Sequence, residues 1–187
     1  MMNRPIKRLL LAVVLSAAAA TATVSTSRAG GTAFSDYGEA PELTGIEHWL
    51  NSEALSVKGL RGKVVLIDFW TYSCINCLRT LPYVTRWYDK FRDRGFVVIG
   101  VHTPEFGFER STRNVQLALC RNGIKYPVAQ DNQYATWKAF DNEYWPATYL
   151  IDRRGHVVLK HFGEGSYDET ERAIEALIST SATEVRE

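Results

Sequence analysis

A mixed β-sheet sandwiched between helices is the α/β architecture this sequence predicts, and three observations carry it. Val64-Val65-Leu66-Ile67-Asp68-Phe69-Trp70-Thr71 is an almost unbroken run of β-branched and aromatic residues, as in a strand buried on both faces. Past it, Leu78, Leu81, Thr85, Tyr88 and Phe91 recur at helical spacing, Gly95 stops the helix, and Phe96–Val101 is a second apolar run. Strand, helix and strand joined over that length form a βαβ unit with parallel strands. Late in the chain, Ala147–Ile151 and Val157–Phe162 flank Asp152-Arg153-Arg154-Gly155, a hairpin turn, so antiparallel strands complete the sheet.

The elements follow in order. Arg4, Lys7 and Arg8 precede a short apolar stretch, Leu9–Ala20, and Ser27-Arg28-Ala29 offers small residues at a cleavage site. A membrane span needs roughly 18 apolar residues, and Thr21, Thr23, Ser25 and Thr26 interrupt this stretch too early. Residues 1–29 therefore read as a signal peptide, and the mature chain as extracytoplasmic, periplasmic, and not inserted in the membrane once the leader is cleaved. No cysteine precedes Cys74, which excludes a bacterial lipoprotein. Residues 30–45 are small and polar, and are expected to be flexible. A single domain is expected over 46–180, with a short tail at 181–187.

Within that domain, Ile46–Leu50 and Leu55–Val57 are short strands or turns, and Lys58–Lys63 is a turn. After the βαβ unit come a loop at Thr103–Ser111, a helix at Arg113–Asn122 closed by Gly123, a short strand at Val128–Asp131 and a short helix at Tyr134–Phe140. Asp168, with Glu171 three residues on, predicts a capping box for the last helix, which runs to about Thr180. A length of 187 residues suits one domain, and a net charge of +1 gives no reason to expect nucleic acid as a partner.

The chemistry concentrates at Cys74-Ile75-Asn76-Cys77, where a buried strand hands over to a helix N-terminus. The unpaired N–H groups and dipole of a first helical turn favour a thiolate. A structural zinc site needs four ligands, and Cys120 and four scattered histidines supply no ligand spacing, so no metal and no cofactor is expected. A static staple gains little from closing so short a loop. A redox dithiol beside a βαβ unit remains. Cys74, at the mouth of the helix, is the expected nucleophile and Cys77 the resolving thiol. Lowering a thiol from ~8.5 to ~7 raises its thiolate at neutral pH from a few per cent to about half. Cys120, beside Leu117, Ala118 and Leu119, reads as a buried free thiol.

Asp68-Phe69-Trp70, the Cys74–Cys77 pair and Pro82 together resemble the thioredoxin family, in which an Asp precedes the first Cys by six residues and a Pro follows the second by five. Trp145-Pro146-Ala147-Thr148 resembles that family's cis-proline loop. The insertion from Glu105 to Tyr126 is similar to the TlpA/ResA/CcmG group of exported thiol–disulfide oxidoreductases. The runs Gly100-Val101-His102-Thr103-Pro104-Glu105 and Phe162-Gly163-Glu164-Gly165 resemble the extracytoplasmic thioredoxin-like domain of DipZ proteins.

The resemblance implies a thioredoxin-like three-layer α/β/α sandwich and a reversible Cys74–Cys77 disulfide exchanged with protein thiol substrates. It implies Asp68 as proton acceptor, Glu105 as a second carboxylate beside the dithiol, and Trp145 and Pro146 as a substrate-binding strand edge flanked by Trp70 and Tyr72. By analogy with TlpA and CcmG it implies a reductant, served by a separate membrane thiol reductant or oxidant. Two other readings stand beside it. Thr71-Tyr72-Ser73-Cys74 matches the tail of a peroxiredoxin-like thiol peroxidase pattern, with Ile67 where its proline belongs. Soft thiolates would also suit an exported Cu(I)-handling protein.

Overall fold

The computed structural model describes residues 34–180. The expected signal peptide at 1–29, the start of the 30–45 segment and the tail at 181–187 lie outside them. Six strands form one sheet: β1 (His48–Leu50), β2 (Val64–Trp70), β3 (Phe96–His102), β4 (Val128–Gln130), β5 (Ala147–Ile151) and β6 (Val157–Phe162). Their order is β1-β4-β3-β2-β5-β6. β2 pairs parallel with β3, β3 parallel with β4, and β2–β5, β5–β6 and β1–β4 are antiparallel. The expected mixed α/β sheet is therefore what forms.

All seven residues of β2 are buried, which its unbroken apolar run requires. Successive side chains alternate between two cores. Val64, Leu66 and Trp70 face α1 (Ile75–Phe91), α2 (Thr112–Arg121) and α4 (Tyr167–Ser179) through Leu81, Trp87, Phe91, Val115 and Ile174. Val65, Ile67 and Phe69 face Trp137 and Phe140 from around α3 (Ala135–Ala139). Across the outside, Glu171 of α4 accepts bonds from Trp87 Nε1 at 3.0 Å, Lys90 Nζ at 2.6 Å and Arg86 Nη2 at 3.1 Å of α1.

Of the segment expected to be flexible, residues 34–45 are described. Tyr37 N–H and Ala40 N–H donate to the carbonyls of Val157 and Gly155, and Val157 N–H donates to Gly38. Two expectations are corrected. Asp168 does not cap α4: the N-cap is Ser166, in the left-handed region at φ 47°, and Asp168 falls in the first turn. Tyr167, the first residue of α4, stacks on Tyr83 of α1 with ring centroids 3.6 Å apart. Glu171 is engaged by α1 instead of closing a capping box. Cys120 is exposed, not buried. The inward stripe of α2 is Val115, Ala118 and Leu119, and Cys120 lies one step of about 100° round the helix from Leu119.

Phe91 is fully buried between α1 and the sheet, whereas Leu117 is 46% exposed. Urea unfolding should show Phe91→Ala less stable by about 3–5 kcal/mol, and Leu117→Ala within about 0.5 kcal/mol of the native chain.

Candidate functional site

Three chain segments leave the same edge of the sheet, and backbone register puts them together. Trp70, the last residue of β2, lies opposite His102, the last of β3. Phe69 lies opposite Ala147, the first paired residue of β5, so Pro146 stands at that edge as well. The dithiol segment, the loop after His102 and the proline loop thus converge. The Trp145–Pro146 bond is cis.

Cys74 is the N-cap of α1, and its Sγ accepts the Cys77 N–H at 3.3 Å. Cys77 is one turn inside, 1% exposed, and both are free thiols in this structure. The bond from the Cys77 thiol and the N–H groups of Cys77 and Asn76 outweigh burial and the charge of Glu105, holding Cys74 down at about 6. The same shared bond, together with burial, pushes Cys77 well above the ordinary thiol range. One thiol is ready to ionise and its neighbour holds its proton.

Asp68 sits on the α1 side of β2, 1% exposed, and neither carboxylate oxygen has a hydrogen-bond partner. Burial raises it to about 7. Gly100 is its partner across β3, and a Cβ there would come within 3.0 Å of both Trp70 Nε1 and the Tyr126 ring. Those side chains occupy the room that the glycine leaves. A carboxyl poised near neutrality beneath a proton-holding thiol can accept that proton.

The remaining expected residues divide. Trp145 is half-buried: its indole N–H donates to the Thr103 carbonyl at 3.0 Å and its ring packs on Trp137 with centroids 4.0 Å apart. Tyr72 is half-buried, stacks on His102 and donates its hydroxyl to the Phe108 carbonyl at 2.9 Å. Glu105 is exposed on the loop after β3. Trp70 is a correction. It was expected at the substrate surface but is 0% exposed, because the last residue of a strand buried on both faces still points into the core.

Sequence reasoning missed Glu109. Its residue is fully buried although Ser73, which it binds, lies at the surface. It accepts from Ser73 Oγ at 2.5 Å and Ser73 N at 3.3 Å, and from the N–H groups of Glu105 at 2.6 Å and Phe106 at 2.8 Å. Its reach to its own i−4 and i−3 amides was legible as local spacing; its bond to Ser73, 36 positions away, was not. The loop it holds presents Phe106 and Phe108, stacked on each other and 50% and 58% exposed. Among the described residues no group of three or more His, Cys, Asp or Glu is placed to hold a metal ion.

The AhpC/TSA family model matches residues 38–160. Protein DipZ of Mycobacterium tuberculosis is 47% identical over 171 residues, covering 90% of this chain but only 25% of DipZ, so the chain spans about a quarter of that relative. Thiol-disulfide oxidoreductase YkuV of Bacillus subtilis is 35% identical over 125 residues, 67% of this chain and 82% of YkuV. Among solved structures, a thioredoxin-like superfamily protein superposes with a TM-score of 0.71 at 28% identity, covering 77% of this chain and 98% of that one. The chain belongs to the AhpC/TSA family and has the thioredoxin-like fold.

The buried acid gives a stability test. Asp68 sits at about 7 when folded and near ~3.9 when unfolded. The folded state holds the proton more tightly, so Asp68's contribution is fully present below about pH 4 and is lost as pH rises through about 7. Asp68→Asn should remove that slope and be the more stable protein at about pH 8, by at most roughly 3–4 kcal/mol. Urea titrations across pH measure it.

Proposed function

We propose that this AhpC/TSA-family chain is an exported thiol–disulfide oxidoreductase that passes electrons from a Cys74–Cys77 dithiol to protein disulfides. The observation that carries the proposal is the contrast between the two thiols, Cys74 low at the helix mouth and Cys77 high and buried over Asp68. The names of YkuV and of the thioredoxin-like structures support it.

In this reading the Cys74 thiolate attacks one sulfur of the substrate disulfide, forming a mixed disulfide and releasing one substrate thiolate. Cys77 gives its proton to Asp68 and attacks Cys74 Sγ. The second substrate thiol leaves, and a Cys74–Cys77 disulfide closes. Two electrons have then moved to the substrate. Glu105, whose charge reaches Cys74, is assigned to proton exchange with the departing thiol. The Trp145 backbone beside Pro146 offers a strand-like edge to the substrate chain, with Tyr72 flanking it.

A thiol at about 6 lies nearer to thioredoxin (~7) than to the strong oxidant DsbA (~3.5), which supports a reductant. The leader-like residues 1–29 support export to the periplasm. An oxidising compartment does not regenerate a dithiol by itself, so we assign a membrane thiol reductant as electron partner. No helix among the described residues is long and apolar enough to cross a membrane.

One observation favours a second reading, a thiol peroxidase: Thr71 lies three residues before Cys74. Thr71, however, is fully buried with its hydroxyl 3.3 Å from His102 Nε2, and Ile67 is paired inside β2. Stopped-flow measurement should show hydrogen peroxide consumed far more slowly than a protein disulfide is reduced; the reverse order would favour the peroxidase.

Thiol trapping in glutathione buffers should show Cys74 and Cys77 cycling between dithiol and disulfide, with a potential of roughly −200 to −270 mV. A value near about −120 mV would make the protein an oxidant. Cys74→Ser should abolish exchange, and Cys77→Ser should accumulate the mixed disulfide.

A further inference from the structure

Glu109 is a buried carboxylate with no countercharge. Among the described residues no Lys, Arg or His forms an ion pair with it. Its neighbour His102 is held down at about 4 by burial, and so is neutral at physiological pH. The side chains of Glu105, Arg110 and Tyr134, also ionisable and close to this loop, do not bond to the carboxylate, which Glu105 reaches through its backbone N–H alone. Burial works to raise Glu109, but the hydroxyls of Ser73 and Thr71 and the N–H groups of Phe106 and Glu105 more than offset it, leaving the acid lowered and ionised.

The bonds run to two different segments. One carboxylate oxygen takes both donors of Ser73, the residue immediately before Cys74. The other takes the amides of Glu105 and Phe106 on the loop after β3. Among the described residues nothing else bonds to Ser73 Oγ, and the hydrogen bonds of Cys74 run to the first turn of the helix it caps, at Cys77 and Leu78. The direction in which Cys74 enters α1 is thus set from outside by Glu109.

We propose that Glu109 is a positioning residue for Cys74: by clamping Ser73 it fixes Cys74 as N-cap, with Sγ on the N–H groups of the first turn. The proposal rests on the thiol-exchange reading of the dithiol. It also makes an electrostatic commitment. A bare negative charge near Cys74 disfavours the thiolate, so removing the charge alone would lower the thiol's pKa. Losing the clamp has the opposite effect, because Sγ moves off its donors.

Glu109→Gln separates the two. The Glu105 and Phe106 amides can only donate, so the Gln oxygen must face them and its NH2 must face Ser73. Ser73 Oγ can turn to accept, but Ser73 N–H loses its acceptor. Volume is unchanged and the clamp loses its bond to the Ser73 backbone, the one next to Cys74.

The measurement is the rate of Cys74 alkylation by iodoacetamide near pH 4.5, where thiolate is scarce and the rate follows its fraction. Glu109→Gln should react about tenfold more slowly. Ser73→Ala, at an exposed residue that leaves the fold intact, should slow it about threefold, and the double variant should be no slower than Glu109→Gln alone. An unchanged or faster rate in folded Glu109→Gln overturns the proposal. Should that variant unfold, an unchanged rate in Ser73→Ala overturns it and a slower one supports it. The exchange reading is tested separately, since it fails if the native protein does not cycle between dithiol and disulfide.

Discussion

Everything at this site depends on a strand that is buried on both faces and bonded along both edges. β2 satisfies its backbone only by pairing with β3 and β5 over nearly its whole length. The consequence falls at its C-terminal end, where Trp70, His102 and Ala147 come into line and the next segments turn outward together. The dithiol segment, the Thr103 loop and Pro146 meet because β2 and β3 end, and antiparallel β5 begins, at one level. Their convergence is a product of hydrogen-bond register.

That strand also carries a carboxyl that its surroundings do not satisfy. Asp68 replaces an apolar side chain on the helix-facing side, and its oxygens go without donors. An arrangement that leaves a carboxyl unpaired in a core costs stability at neutral pH, and the same cost keeps its proton affinity close to that of water-exposed histidine. Gly100 completes the environment. Any side chain there would displace Trp70 and Tyr126, whose indole N–H and hydroxyl are likewise buried without partners. Function and instability share one location, which is where rules of local consistency are expected to break.

Two carboxyl groups near Cys74 are held in different protonation states. Below it, a carboxyl is kept near neutrality by desolvation alone. Beside it, Glu109 is kept ionised by hydrogen bonds from Ser73, Glu105 and Phe106. Both are buried acids, and the number of donors decides their state. The ionised one ties together the dithiol segment and the loop that exposes Phe106 and Phe108.

The sequence by itself determined the architecture and the centre of the site. An apolar run, a helical repeat and a hairpin turn specify the sheet, because they record burial and backbone conformation that each segment carries locally. The Cys74–Cys77 pair was legible from its place between a strand and a helix end, whereas Asp68 and Pro146 came from the resemblance to the thioredoxin family. What only the tertiary structure decided were contacts between distant segments. Trp70 proved to be core and Cys120 surface, since one residue of strand or helix phase separates inside from outside and neighbouring apolar letters do not record it. Ser166, not Asp168, is the N-cap of the last helix, whose first residue Tyr167 meets Tyr83. Glu109 stayed hidden because its partner Ser73 comes within reach only when β2 and β3 align. A carboxylate's role is set by the donors around it, and no stretch of sequence holds both.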